Sequence, residues 1–230
     1  MVSSKFTKKL RDDFQIIFKD MSLLDEAFTH SSYSNEHRNL ELKNYEKLEF
    51  LGDAVLELAI SEFLYHQFPD LDEGELTRFR SNVVRTEGFS KFAKEAGFDQ
   101  EIMLGKGEEN NGARLRKTLL EDVFEAFNGA LFLDQGMPGV YQFLKATVFP
   151  DIIKGDFSYN ADYKTQLQEL LQQNGSVKIS YETLQETGSD NDKTFKVAVY
   201  AETEKLAEGT GDSKKKAEQH AASEALKKLQ

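Results

Sequence analysis

The chain has 230 residues, 39% of them hydrophobic, which is enough for one large domain or two small ones. It contains no cysteine, which excludes disulfide frameworks, thiolate metal sites and cysteine nucleophiles and suits a reducing compartment. The most apolar stretch, residues 50–60, is interrupted by acidic side chains and is too short to cross a membrane, and residues 1–10 lack the apolar segment of a signal peptide. We therefore expect a cytoplasmic protein without membrane association.

The formal net charge is −11, and most of the acid excess falls in residues 1–160. If it were spread evenly, such a charge would argue against a polyanionic partner such as nucleic acid. A local excess of carboxylates is also what hard divalent cations require as ligands. Net charge alone therefore leaves a solvated acidic surface and a metal site both open.

Residues 5–150 carry apolar side chains mainly at helical spacing and show no convincing alternation typical of a strand. The pattern predicts helices at about 5–18, 43–67, 74–96, 114–134 and 138–148. We therefore expect an all-α first domain over residues 1–153. Residues 154–160 have the small and polar composition of a linker.

The pattern changes in residues 161–230, which we expect to form a small α+β domain. A helix is predicted at about 162–173, and apolar side chains alternate at period two around 177–181 and 195–199. A third strand is predicted near Lys205, followed by a last helix at about 213–229. The order is therefore helix, three strands, helix.

Two predicted helices of the first domain carry paired carboxylates beside apolar side chains. In one of them Glu49 and Asp53 are four residues apart and share a face with Glu46; in the other, Asp122 and Glu125 are three residues apart. One such pair is ordinarily a solvated helix face, but two apolar-flanked pairs favour a bound cation, because unpaired carboxylates near a core are unfavourable. Oxygen ligands suit Mg²⁺ or Mn²⁺ rather than zinc. The histidines are scattered, so capping or surface roles are expected for them.

The start of the last predicted helix is basic. Ser213 or Asp212 is expected to be the N-cap, and Lys214, Lys215 and Lys216 follow in the first turn. Lysines there oppose the helix dipole, so another interaction should favour them. A bound phosphate would do so, because backbone N–H and ammonium groups would act on it together. A solvated surface is the alternative for this triplet.

The acidic segments resemble those of a known family. Residues 46–56 closely resemble the signature segment of ribonuclease III, and residues 122–126 resemble the second acidic segment of its endonuclease domain. The resemblance implies a Mg²⁺-dependent homodimer, with Mn²⁺ able to substitute and no organic cofactor, that cuts double-stranded RNA. It also implies 5′-phosphate and 3′-hydroxyl ends with short 3′ overhangs, and a role in rRNA and mRNA processing. Carried over by position, the metal-binding acids are Glu49, Asp53, Asp122 and Glu125, of which Asp53 and Glu125 are catalytic, and the auxiliary acids are Glu46 and Glu73.

Residues 161–230 resemble a double-stranded RNA-binding domain. The resemblance implies three contacts in a minor groove, where 2′-hydroxyls distinguish RNA from DNA, and three contacts to phosphates. By position these side chains are Thr165, Gln166 and Glu169 for the groove, and Lys214, Lys215 and Lys216 for the phosphates. The family's loop often carries Pro and His where this chain has Ser189 and Asn191, a departure at the second minor-groove contact. A small domain used for protein contacts is the alternative.

Together these features predict a mainly α protein, with an all-α ribonuclease III-type endonuclease domain followed by an α-β-β-β-α double-stranded RNA-binding domain. The predicted function is metal-dependent hydrolysis of double-stranded RNA. The main alternative is a binding protein of the same architecture that has lost cleavage, but the presence of all four acids argues against it. An unrelated helical metallophosphatase would leave the C-terminal domain unexplained.

Overall fold

The computed structural model describes residues 1–155, 163–172, 177–187 and 193–229. The chain divides into two compact units, Met1–Tyr159 and Asn160–Gln230. Lys154, at the start of the predicted linker, is the last residue of a helix, and the linker beyond Gly155 lies outside the described residues. Across the described parts of the chain, no helix combines the length and apolarity that crossing a membrane requires.

The first unit is helical, as predicted. Within the described residues of this unit, β-type backbone pairing is found as an isolated bridge between Thr29 and Met103. Its α-helices are α1 (Ser4–Phe14), α2 (Met21–Ala27), α3 (Ser31–Glu36), α4 (Glu46–Gln67), α5 (Glu73–Val83), α6 (Thr86–Ala96), α7 (Lys106–Asn110), α8 (Lys117–Ala146) and α9 (Val148–Lys154). Short 3₁₀ turns lie at Arg38–Leu40, Phe98–Gln100 and Ala113–Leu115.

The single helix predicted at 74–96 is wrong, because α5 and α6 are separate helices. Arg85 has extended backbone angles between them, and Asp72 starts α5 with a reciprocal capping box to Glu75. Both helices bury apolar side chains, such as Phe79 and Phe89. The apolar spacing therefore continues from one helix to the next, and the spacing alone does not indicate that the helix is interrupted. By contrast, the predicted gap between 134 and 138 corresponds to a kink in α8, where Gly136 has non-helical angles.

Aromatic side chains form the centre of the first core. Phe98, Phe124, Phe127 and Phe143 are completely buried, and their ring centroids lie 4.8–6.2 Å apart in the contacting pairs. Three of the four belong to α8, which packs against α2, α4 and α6. Helix α8 is therefore the central support of this unit, and α4 is held along it.

The second unit has the predicted order of helix, three strands and helix. It consists of α10 (Tyr163–Gln172), β1 (Ile179–Thr187), β2 (Thr194–Ala201), β3 (Glu204–Gly211) and α11 (Lys214–Leu229). The strands form an antiparallel sheet in the order β1-β2-β3. Leu167 of α10, Val199 of β2 and the alanines of α11 form a small core, in which α11 packs on β2 and β3 and α10 packs against α11. The predicted fold class is confirmed.

Candidate active site and RNA-binding surface

Two glycines allow α4 and α8 to cross in backbone contact. A Cβ atom on Gly52 would lie 1.8 Å from the carbonyl oxygen of Glu125, and one on Gly129 would lie 2.2 Å from the carbonyl oxygen of Leu48. No real Cβ atom tolerates such distances, so each glycine leaves room that any other residue would fill. The crossing brings the acidic face of α4 beside the acidic face of α8.

The four predicted metal-binding acids meet at this crossing. Glu49 and Asp53 come from α4, and Asp122 and Glu125 come from α8. Glu49, Asp122 and Glu125 are half-buried, whereas Asp53 is exposed. Glu125 feels the charges of Asp53, Glu49 and Asp122, so the two pairs identified in the sequence form one electrostatic cluster.

Burial and mutual repulsion make the ionised cluster unfavourable in the absence of a cation. Burial, followed by the charge of Asp122, raises the pKa of Glu49 to about 7. Burial, followed by the charge of Asp53, raises the pKa of Glu125 to about 8. Burial also raises the pKa of Asp122. Shifts of this size toward neutral pH are typical of functional carboxylates and of acids that a cation would neutralise.

A phenol reaches the same cluster. Tyr45 donates a hydrogen bond from its OH to Oδ2 of Asp122, with a distance of 3.2 Å. His30 is close by, with its ring centroid 5.7 Å from that of Tyr45. Its Nδ1 accepts a hydrogen bond from the backbone N–H of Ser32, so His30 has the capping role expected from the sequence. Tyr45 was not identified from the sequence, since nothing in its spacing indicates a partner 77 residues away.

The chemistry of these donors fits Mg²⁺ or Mn²⁺. The cluster offers carboxylate oxygens and no sulfur, which is the donor set of hard divalent cations. Within the described residues, however, no three acidic or histidine side chains already converge closely enough to hold a metal ion. The four acids therefore lie close enough to form one electrostatic cluster, but as described they do not form a ready-made metal site.

The other acids of this region occupy different positions. Glu46 is exposed at the first residue of α4, and its charge contributes to the raised pKa of Glu49. Glu73 is exposed at the first residue of α5, accepts a hydrogen bond from Thr77 and lines a separate cavity with the second half of α4. Glu121 was missed in the sequence, although it lies four residues before Glu125 on α8 and its charge acts on that residue. Burial raises the pKa of Glu121 as well.

The start of α11 presents lysines to solvent. Ser213 is the N-cap, and its Oγ accepts a hydrogen bond from the backbone N–H of Lys216 at 3.3 Å. Lys214, Lys215 and Lys216 are exposed. Lys216 pairs with Asp212 at 2.6 Å, and Nζ of Lys214 lies 5.8 Å from the ring centroid of Phe195. Because the charge of Lys216 is partly neutralised by Asp212, Lys214 and Lys215 are the better candidates for contacting a phosphate.

Of the three side chains predicted to enter the minor groove, the structure describes two. Thr165 and Glu169 are exposed on α10. The side chain of Gln166, and the loop residues Ser189 and Asn191, lie outside the described residues. Lys164 of the same helix pairs with Glu218 of α11 at 2.6 Å and lies over the ring of Tyr181, so α10 is fixed to the rest of the unit.

Comparisons with known proteins match both units. A Ribonuclease-III-like family model matches residues 20–152, and a Double-stranded RNA binding motif model matches residues 163–229. Ribonuclease 3 of Lactobacillus acidophilus is 60% identical over 230 residues and covers 100% of both chains; Ribonuclease 3 of Lactobacillus johnsonii is 61% identical over 228 residues and covers 99% of both. The solved nuclease domain of ribonuclease III from Campylobacter jejuni is 36% identical with a TM-score of 0.55, covering 60% of this chain and 94% of that one.

A helical nuclease domain joined to a double-stranded RNA binding motif is the composition of an endoribonuclease that acts on double-stranded RNA. The full-length relatives agree with that class. The chain belongs to the ribonuclease III family. The resemblance seen in the sequence is confirmed, and so is the predicted enzyme class.

Proposed function

We propose that the enzyme hydrolyses double-stranded RNA with divalent cations held by Glu49, Asp53, Asp122 and Glu125. The observation that supports this most directly is the glycine crossing of α4 and α8, which gathers these acids on one partly buried surface. The products would carry 5′-phosphate and 3′-hydroxyl ends with short 3′ overhangs. These end structures follow from the family resemblance.

The bound cations would supply an activated water, neutralise phosphoryl charge and stabilise the leaving oxygen. The chain's own part is to hold the acids near one another, where a bound cation would offset their repulsion and favour their ionised forms. Glu125 and Asp53 would have the central roles that the family resemblance implies, and the charge of Asp53 acts on Glu125. Glu46, at the start of α4, would be an auxiliary acid beside the site, and its charge acts on Glu49 by raising the pKa of that residue.

The second unit would bind the duplex by its shape. Lys214 and Lys215, with Lys216, would contact phosphates at the N-terminus of α11, where backbone N–H groups also point outward. Thr165, Gln166 and Glu169 of α10 would enter a minor groove and contact 2′-hydroxyls. Binding of this kind reads the A-form duplex and not its base sequence.

We propose that the enzyme is a homodimer in which each subunit cuts one strand. Helix α4 exposes an apolar row on the side away from its core: Phe50 is 82% exposed, Leu58 is 59% exposed and Tyr65 is 67% exposed. Exposed rows of this kind mark interaction surfaces, and a two-fold dimer can bury one row against its copy. The Campylobacter jejuni nuclease domain is described as having a region involved in dimer formation.

Glu73 fits the same interface. It lies beside Leu58 and Tyr65 in a cavity of about 550 Å³ between α4 and α5. The largest contributions to the raised pKa values of Glu49 and Glu125 come from burial and from acids of α4 and α8, whereas Glu73 belongs to α5. We propose that it acts at the junction of two subunits.

In the cell, the proposed substrates are base-paired regions of rRNA and mRNA, processed in the cytoplasm. The test of the proposed function is a cleavage assay on an end-labelled duplex and on single-stranded RNA of the same sequence, with and without Mg²⁺. We expect Mg²⁺-dependent cleavage of the duplex only, with recessed 5′ ends on the products. Tight duplex binding without cleavage at any Mg²⁺ concentration would instead indicate a non-cleaving binding protein.

A further inference from the structure

Tyr45 connects the start of α4 with an acid of α8. Its side chain is only 5% exposed. Its backbone N–H donates to the carbonyl of Thr29 at 3.0 Å, and its carbonyl accepts from the backbone N–H of Glu49 at 2.9 Å. Its OH donates to Oδ2 of Asp122. The backbone and ring are thus fixed, so the phenol oxygen is presented to Asp122 from a rigid position.

This hydrogen bond restricts the carboxylate of Asp122. Oδ2 of Asp122 accepts the hydrogen bond from the phenol, and the backbone N–H of the same residue also interacts with the carboxylate. A carboxylate that turned freely would have to be ordered each time it bound a cation. A hydrogen bond from a buried group removes that freedom in advance, as the outer partners of metal ligands commonly do.

We propose that Tyr45 is a positioning residue that orients Asp122 for cation binding. The inference rests on the proposed role of Asp122 as a metal-binding acid. Tyr45 itself need not touch the cation or the RNA, because its effect passes through the carboxylate. Removing an outer partner of this kind typically weakens metal affinity or activity by about 10- to 100-fold.

The test measures cation binding separately from catalysis. Mn²⁺ is titrated into the full-length chain without RNA, and free Mn²⁺ is followed by electron paramagnetic resonance. We expect Tyr45→Phe, which keeps the buried ring, to weaken Mn²⁺ binding by about 10-fold. The Mg²⁺ concentration for half-maximal duplex cleavage should rise by a similar factor, with much of the rate recovered at saturating Mg²⁺.

Tyr141→Phe is the matched control. Tyr141 also donates its OH to a carboxylate, that of Glu62, in the same unit but away from the four acids. Loss of the Tyr141 hydroxyl should leave the Mn²⁺ affinity unchanged. Equal weakening by both substitutions would overturn the inference, since it would indicate a general effect of losing a phenol.

Asp122→Asn separates this inference from the proposed function. If Asp122→Asn weakens Mn²⁺ binding and Tyr45→Phe does not, the role of Tyr45 is overturned while the metal site stands. If Asp122→Asn leaves binding unchanged, both are overturned. Tyr45→Phe should also have little further effect in the Asp122→Asn background, because its partner is already altered. An undiminished effect there, with a lower Tm, would overturn positioning in favour of a purely structural role.

Discussion

Gly52 of α4 lies against the backbone of Glu125 in α8, so that the missing Cβ atom would lie 1.8 Å from the carbonyl oxygen of that acid. The packing of the helices and the position of a proposed catalytic acid therefore depend on the same contact. We predict that Gly52→Ala forces the helices apart, lowers stability by about 3 kcal/mol, the upper end of the usual overpacking effect, and abolishes cleavage. Thermal denaturation and duplex cleavage measure the two effects.

Gly107→Ala provides the control for this substitution. Gly107 lies in α7, and a Cβ atom there would meet nothing within 4 Å. Alanine is also the better helix former, so Tm should stay the same or rise slightly. If Gly52→Ala proved as harmless as Gly107→Ala, the close crossing of α4 and α8 would be wrong.

The paired acids could be predicted from the sequence because helical spacing places residues three and four apart on one face. The same rule identifies Glu49 with Asp53 and Asp122 with Glu125, but it says nothing about two helices crossing. Glu121 follows that spacing too and was passed over beside its neighbour Asp122. Tyr45 could not have been found this way, since its contact with Asp122 arises only from tertiary packing.

The predicted elements show the same division between local and tertiary information. The strand predicted around 195–199 and the N-cap at Ser213 rest on local signals, and both are confirmed, although Val197, Ala198 and Val199 are all buried and burial does not alternate there. The break between α5 and α6 has no comparable signal, because Arg85 interrupts the helix by its backbone angles alone. Local spacing thus pointed to the candidate acids, whereas the crossing that brings their two helices together depended on packing.

Glu125→Gln should reduce cleavage by orders of magnitude while duplex binding survives. The substitution keeps the shape of the side chain but removes a charge that the proposed metal site needs, and binding depends mainly on the second unit. Single-turnover cleavage and a binding titration on the same duplex measure the two properties. Glu95→Gln, on the exposed side of α6, is the charge-matched control and should leave both unchanged. Near-normal turnover of Glu125→Gln at saturating Mg²⁺ would contradict its role.

The raised pKa values predict a pH dependence of stability. Because the pKa values of Glu49 and Glu125 rise to about 7 and about 8 on folding, protonation favours the folded state. The stabilisation by protonation is fully present below the pKa values that these groups have in the unfolded chain. It is lost as pH rises through their pKa values in the folded protein. Without metal, these groups should therefore lower Tm as pH rises from about 4.5 to about 8. Mg²⁺ should raise Tm more at the higher pH, where protons no longer compete with it.

Asp53→Asn tests this explanation. The charge of Asp53 is the largest electrostatic contribution, after burial, to the raised pKa of Glu125. Its removal should raise Tm without metal at high pH and reduce the rise that Mg²⁺ produces. Differential scanning calorimetry at the two pH values measures both changes. An identical Mg²⁺-induced rise in wild type and variant would show that Asp53 does not share the site.

Phe50→Glu should convert the proposed homodimer into monomers. Phe50 is 82% exposed, and burying a charge against its own copy across a two-fold interface would be unfavourable. Analytical ultracentrifugation measures the change in mass. Ile17→Glu is the control, because Ile17 is 67% exposed after α1, on a different segment, and should leave the mass unchanged. A wild-type chain that is monomeric at micromolar concentration would contradict the proposal directly.

Replacing Lys214 and Lys215 with Ala should weaken binding about equally for unrelated duplexes, because phosphate contacts carry no base information. The slope of binding against salt concentration should fall by roughly one to two units, as expected for the loss of up to two phosphate contacts. Cleavage at low salt and high enzyme concentration should largely recover, because the acids of the first unit are untouched. A defect at the metal site would persist under those conditions.

The double substitution of Lys227 and Lys228 with Ala is the matched control, since it removes the same charge from the other end of α11. Lys227 pairs with Glu224 and Lys228 donates to the carbonyl of Leu206, so their loss should lower stability more than RNA affinity. Loss of Lys214 and Lys215 should not lower Tm, because alanine favours the helix and removes two charges that oppose its dipole. Weakened binding with an unchanged Tm would therefore reflect lost phosphate contacts. Equal salt slopes for both double variants would instead mean that the start of α11 is an ordinary solvated surface.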